Sequence, residues 1–590
     1  MTRVPRRLAG IGAADLADAA AFDSYTGPSR EVTVDYIRGI IALHDGSTAG
    51  GLQFLKASSI IATVANRTTL AAIDTTKTTS IYLRESGREG VFLWMTGDYS
   101  AQIAADTAQG IYVKATAIAA TAGAWVRVYN AFVNVDWFGA VGNSTGPGLG
   151  TDDRAAVQAA INVANSFGAT VLFSAKKYRI GSPGVTISNT SGGSPDTKRC
   201  SLMGSGVRGT YLYGDSGDYK IVSALGEPSN GGSFSMQTVQ GMTIAKADNL
   251  GTCLYLENHF HAAVRDVKTN GAFWGVSLSD VHETTFDNCV ITWARRGLYA
   301  QKGTFTQPNV INLFNCTVGN NAEFGIDLLN PAEFNMWGGS IEANGQPADV
   351  AIGSRWGIRA SYTVAAVEGS VGLNLNGVYL ETNSGTADIF VQEFNVTPIV
   401  VNIKGCTFQR NSGTYFTTNN ILFSWSGTTY KHVVNVIGNG HRSFNDYVAN
   451  AGRPYINLAG PAGASNMEFN DFGCYYHDAV EKADIGANLP GQGRDFMLSA
   501  MGEVSSAGVL SNGRNTASAS RTATGTYQVT YNKPLSVAAI PALSPVGVGG
   551  AVCPDITALS TTGFTVVWRN TSGVAIDTRF GFSTQGGLRA

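Results

Sequence analysis

The chain has 590 residues, too many for one compact domain, with only 14% charged residues and 71 glycines. Globular proteins usually carry roughly 25% charge, so this mixture disfavours helical bundles and suits β structure with many turns. A net charge of -2 with no dense basic run beyond Arg3 to Arg7 argues against nucleic acid as a partner. No stretch reaches the roughly 20 apolar residues of a membrane span, and no apolar segment follows the basic start as a secretory signal would require, so the expectation is a soluble chain that inserts in no membrane.

In chain order, Tyr82 to Tyr129 reads as a small β domain. Downstream, Asp152 or Asp153 can cap a helix whose Ala156, Val157, Ala160, Ile161 and Val163 form an apolar stripe, and a buried strand follows at Ala169 to Phe173. From about residue 239 to 440 two short strand patterns alternate. The first is apolar-x-Asn/Gly-x-x-apolar, at Phe286 to Ile291, Leu313 to Val318, Met336 to Ile341, Leu375 to Leu380 and Ile403 to Phe408. The second is Gly-apolar-x-apolar, at Gly275, Gly297, Gly325 and Gly357, with variants at Asp388 and Asn420. They recur at intervals of roughly 22 to 39 residues, as solenoid coils do.

No such strand can bury a face alone, but stacked coil on coil they form one core, so the repeat predicts a parallel β-helix. Asn321, Asn344, Asn383 and Asn411 fall three residues after the last apolar residue of successive strands, which predicts a stacked amide ladder at one turn. Seven cysteines are scattered without metal-like spacing, and Cys289, Cys316 and Cys406 share one repeat position as small core fillers. After about residue 455 the repeat stops, and Ser518 to Leu535 and Thr561 to Asn570 alternate as strands of a β-sandwich would.

The segment Trp137-Phe138-Gly139-Ala140, the Thr151-Asp152-Asp153 cap, the helix and the strand that ends towards Tyr178-Arg179-Ile180 together resemble the opening of pectate-lyase-like β-helices. That opening is frequent in bacteriophage tailspike depolymerases. Two turns depart from the pattern: Gly142 to Gly150 replaces a short Gly-Asp-Gly, and Ser174 to Lys177 stands where Pro-x-Gly is usual. Arg30 to Gly51 is similar to a short β module of phage tail fibre and tailspike N-termini. The resemblance implies an all-β chain. A virion-attachment module (1–55) and a small β domain (56–134) would precede a right-handed parallel β-helix (135–454) that binds receptor and carries the catalytic site, and a C-terminal β-sandwich-like domain for trimerisation or carbohydrate binding (455–590) would close the chain. It also implies a homotrimer on the phage tail or baseplate, held there by its N-terminus, that binds and cuts a bacterial capsular or exopolysaccharide without a cofactor.

The residues themselves narrow the chemistry. Gly204 to Gly209 matches G-x-G-x-x-G, but a strand rather than a helix follows, so the dinucleotide reading is dropped for a coil turn. His259 and His261 lack a third ligand nearby and read as a solvated turn, and no metal is expected. On the repeat, Ile291, Val318, Ile341, Leu380 and Phe408 point inward, so Thr292, Gly319, Glu342, Glu381 and Gln409 point outward. Glu342 and Glu381 then stack about 4.8 Å apart at the backbone, and like charges that close resist joint ionisation. A carboxyl pair is what glycoside hydrolysis uses, with Tyr379 on the same face to meet a sugar ring. Glu-x-Asn can equally be turn chemistry. A second outward column, Tyr299, Asp327, Arg359 and Phe390, has Glu323 beside it between Arg295 and Arg355. It suits a polysaccharide groove in which Asp327 and Glu323 replace the first pair, or an ordinary solvated face; a site shared between subunits is a third arrangement. Endo-glycosidase action is the first expectation. A lyase using Arg359, Arg295 and Tyr299 on a uronic acid and a non-catalytic adhesin are the alternatives.

Overall fold

The computed structural model describes residues 19–35, 40–53, 62–188, 200–226, 237–304, 306–346, 355–364, 371–410, 417–443, 455–461, 466–476, 483–485, 500–532, 535, 538–546 and 552–584. The chain forms two compact units, Met1–Val141 and Gly142–Ala590. The first holds a three-stranded antiparallel sheet (Val32–Asp35, Ile40–Leu43, Leu52–Gln53). It also holds a five-stranded sheet around Leu70, Ile81, Phe92, Val113 and Trp125.

The second unit begins with the helix Arg154–Phe167, which buries Val157, Ala160, Ile161, Val163 and Ala164 and stops at Gly168 in the left-handed region (φ 75°). Of the two candidate capping aspartates, only one accepts from the helix's first amides. Asp152 accepts from the Arg154 amide at 3.0 Å, whereas Asp153 occupies the N-cap yet turns its carboxylate to the Gly142 amide.

From residue 170 the chain winds into a parallel β-helix, each full coil adding one strand to each of three sheets. The first sheet includes Asn309–Phe314, Glu333–Trp337, Val371–Asn376 and Ile399–Lys404. The second includes Val290–Thr292, Thr317–Gly319, Ser340–Glu342, Tyr379–Glu381 and Thr407–Arg410. The third includes Arg296–Gln301, Phe324–Leu329, Trp356–Tyr362 and Gly385–Glu393. Residues that share a repeat position lie directly opposite one another, and the inward set (Ile291, Val318, Ile341, Leu380, Phe408) is fully buried. Each such side chain removed from water contributes about 1.5–3 kcal/mol.

The corner between the first and second sheets explains the Asn/Gly of the repeat. Asn288, Asn315, Gly338, Gly377, Gly405 and Gly438 all take positive φ between 49° and 65° there, the region that glycine and asparagine tolerate best. Cys289, Cys316 and Cys406 follow immediately and are buried free thiols. At the next corner the expected ladder is present. Asn321 donates to Asn344 at 2.9 Å, Asn344 to Asn383 at 2.9 Å, and Asn383 to Asp388 at 3.0 Å, and each amide also reaches a carbonyl one coil back. Asn411 lies outside the described residues.

The β-helix outlasts the boundary expected at residue 454. Ile456–Ala459 and Met467–Phe472 continue the parallel stack, and Ala483–Ile485 pairs on in turn. Gly473 (φ 66°) and Asn470 still mark the coil of Met467–Phe472, so the pattern itself runs past the expected boundary. Antiparallel pairing begins at Ala500–Val504. Two four-stranded sheets then share one core of Val504, Tyr527, Val529, Phe564, Val566, Trp568, Phe580 and Phe582, a sandwich. Among the described residues no helix is long and apolar enough to cross a membrane.

Candidate functional site

The second sheet carries the outward column Thr292, Gly319, Glu342, Glu381, Gln409 and Arg442, each residue in register with the next. Glu342 and Glu381 are therefore direct neighbours, half-buried on adjacent strands, with backbones about 4.8 Å apart. Gln409 donates through Nε2 to Glu381 Oε1 at 2.9 Å, and Tyr379 donates its hydroxyl to Gln409 Oε1 at 3.0 Å. Burial first, then the Glu381 carboxylate and Glu342, push the Tyr379 hydroxyl up to about 12, so it stays a donor at neutral pH. The glutamine thus holds one carboxylate in place and is itself held.

Glu342 makes no ion pair or side-chain hydrogen bond among the described residues. Gly319 lies beneath it. A Cβ there would meet the Glu342 carbonyl oxygen at 2.8 Å and its Cγ at 3.1 Å. The missing side chain is what leaves the Glu342 stem room. The turn that follows is strained: Ala343 and Thr382, the residues after each glutamate, have φ of 55° and 54°. For β-branched Thr382 that is an outlier, held by amide bonds from Ala343 to the Glu381 carbonyl at 2.9 Å and from Thr382 to the Gln409 carbonyl at 3.3 Å.

The third sheet carries the other column, Tyr299, Asp327, Arg359 and Phe390, also in register. Its charges are neutralised in place. Arg359 grips Asp327 with two bonds of 2.7 and 2.9 Å and lies 4.1 Å over the Trp356 ring. Burial pushes the Asp327 carboxyl up while Arg359 pulls it back. Tyr299 stacks on Trp274 at 4.4 Å and donates to Gln301. Burial, then Asp327, raises its hydroxyl. Glu323 is buried between Arg295 and Arg296. The expected second partner, Arg355, instead donates to the Gly345 carbonyl at 3.2 Å. Arg296 comes from the strand start beside Arg295, a neighbour that the coil-to-coil comparison passed over.

The histidine pair separates. His261 sits at a turn with φ 57° and pairs with Glu283 at 2.6 Å. His259, expected in solvent, is fully buried in the strand Thr252–Phe260, and burial lowers it to about 4. Gly204 to Gly209 is a turn followed by the strand Tyr211–Gly214, as expected. Among the described residues no cluster of three or more His, Cys, Asp or Glu could hold a metal ion.

Sequence reasoning missed a second amide ladder, on the outer face of the first sheet. Asn335, Asn374, Asn402, Asn435 and Asn470 each donate to the asparagine one coil back, from Asn312 upward, at 2.8 to 3.1 Å. Its signal was in plain view, an asparagine once per coil that is flanked by apolar residues on both sides in every rung from Asn312 to Asn435.

No protein-family model matches the chain, and no curated protein matches it. Solved structures do. Full-length tailspike protein 2 of an Escherichia coli O157:H7 bacteriophage aligns with a TM-score of 0.50 at 15% identity, over 95% of this chain and 80% of that one. The enzymatically active domain of tailspike protein 4 from bacteriophage CBA120 aligns with a TM-score of 0.50 at 11% identity, over 96% and 86%. The chain has a tailspike-like fold. At these identities the likeness establishes the architecture.

Proposed function

We propose that the protein is a bacteriophage tailspike that binds a bacterial capsular or exopolysaccharide and hydrolyses it at Glu342 and Glu381. The observation that carries this reading is the stacking of two half-buried glutamates on adjacent coils of the second sheet's outer face. Glycoside hydrolysis uses a carboxyl pair: one protonates the leaving oxygen while the other activates water or attacks the sugar. In this scheme Gln409 orients Glu381, Tyr379 orients Gln409 and borders the sugar, and Gly319 gives Glu342 its room. Alignment with a domain described as enzymatically active supports catalysis. The wider proposal is a homotrimer fixed to the phage tail through residues before about 135, at work on the bacterial surface.

The arginines expected for lyase chemistry, Arg359 and Arg295, already serve Asp327 and Glu323, whereas the second sheet presents a carboxyl pair. Hydrolysis is therefore preferred to a lyase built on those two arginines. The test is to spot purified protein on lawns of diverse encapsulated bacteria. Translucent halos on a narrow subset support a depolymerase. Lawns that bind the protein but never clear would make it an adhesin.

A further inference from the structure

The second sheet ends at a corner whose first residue, coil after coil, has positive φ: Gly271 (76°), Trp293 (57°), Asn320 (57°), Ala343 (55°) and Thr382 (54°). Glycine and asparagine suit that conformation, and a bulky residue there is a genuine outlier. Trp293 is such a residue, and it is also 62% exposed, against 37% for Trp337. No described residue stacks on its indole or accepts from it. A strained backbone and an exposed indole are two separate costs, and no described residue covers the indole.

The strain is enforced from both sides. The Thr292 carbonyl accepts from the Gly271 amide, the Ala294 amide donates to Asn321 Oδ1 at 3.1 Å, and the Arg295 side chain is tied to Glu323. The indole is thus mounted on fixed backbone, which limits the ordering cost of using it. Its place is equally defined. Thr292 is in register with Gly319, and Gly319 with Glu342, so Trp293 stands two strands, about 10 Å, from the level of Glu342. On the coil between them stand Gly319, which presents no side chain, and the exposed Asn320.

Building on the proposed Glu342/Glu381 site, we infer that Trp293 is a sugar-stacking subsite, which holds a pyranose ring of the same polysaccharide a short run of residues away from the bond that is cut. An aromatic face against the C–H face of a sugar ring buries apolar area and needs no side-chain rearrangement.

The test uses the full chain and polysaccharide extracted from a strain that fluorescently labelled protein decorates. Trp293→Gly suits the positive φ, so its melting midpoint should equal or exceed that of the parent, which separates binding loss from misfolding. Expected are a three- to tenfold rise in KM, kcat within about twofold, and weaker retardation in gels cast with the polysaccharide, with Trp293→Phe in between. Unchanged KM and retardation would overturn the inference. So would a changed sedimentation coefficient in Trp293→Gly, which would assign the indole to a contact between copies of the chain. Normal cleavage by Glu342→Gln and Glu381→Gln would instead overturn the catalytic reading, and gel retardation would still judge Trp293.

Discussion

The second and third sheets of one solenoid both carry charged columns in register, and they treat charge in opposite ways. On the third sheet Asp327 meets Arg359 one coil on, and Glu323 meets Arg295 and Arg296, so both of these buried carboxylates are neutralised by guanidinium groups. On the second sheet Glu342 meets Glu381, and the next residue along is the neutral Gln409. Alternating charge is how a scaffold satisfies what it buries. Two glutamates in succession are not something that stacking alone requires, since Thr292 and Gly319 fill the same position in earlier coils.

The largest expected effect breaks the comparison at its catalytic side. Glu342→Gln and Glu381→Gln should each cut the rate of depolymerisation by about a thousandfold or more while glycan binding persists, as read by reducing ends and by gel retardation. Next, Asp327→Ala should cost about 3 kcal/mol by leaving Arg359 unpaired, seen as a lower denaturation midpoint, with activity per folded molecule retained. Should the mild Asp327→Asn abolish cleavage at intact stability, the third sheet would be the site after all.

A third prediction concerns Asp388, which ends the inner amide ladder. Burial raises its carboxyl from 3.8 to about 6, against the pull of Asn383, Arg410 and Thr417. A carboxyl whose folded value is raised favours folding while protonated, so its contribution is present at pH 4 and lost as pH rises through about 6. Asp388→Asn should therefore add about 2 kcal/mol at pH 7 and little at pH 4, measured by denaturation at both. Least of all, Asn374→Ala in the outer ladder, which removes the bond given to Asn335, a long one to Glu333 and the one received from Asn402, should cost about 1 kcal/mol and leave cleavage unchanged.

Much of this was legible in the chain because a solenoid repeats its constraints. Asn288, Asn315 and Gly338 mark a left-handed corner, and Asn321, Asn344 and Asn383 mark a ladder, and both reappear in the fold at those positions. Register follows from repeat spacing, so the neighbours Glu342 and Glu381 could be named in advance. What the spacing hid was reach along the strand. Glu323 takes Arg296 rather than Arg355, and Gln409 bonds both Tyr379 and Glu381 from the next coil, because long side chains reach beyond their own register position. His259 was misplaced for a related reason, since a positive φ at Asn258 bends its strand. Trp293 passed unnoticed because its oddity is conformational, and periodicity reports only which residue recurs.

The most direct measurement follows fragment masses over time when polysaccharide from a halo-forming strain is incubated with the parent protein, Glu342→Gln, Glu381→Gln and Asp327→Asn. The expected result is fragments that have gained water from the parent and from Asp327→Asn, and none from either glutamine variant. Unsaturated sugar ends, or undiminished cleavage by the glutamine variants, would contradict a hydrolytic site on the second sheet.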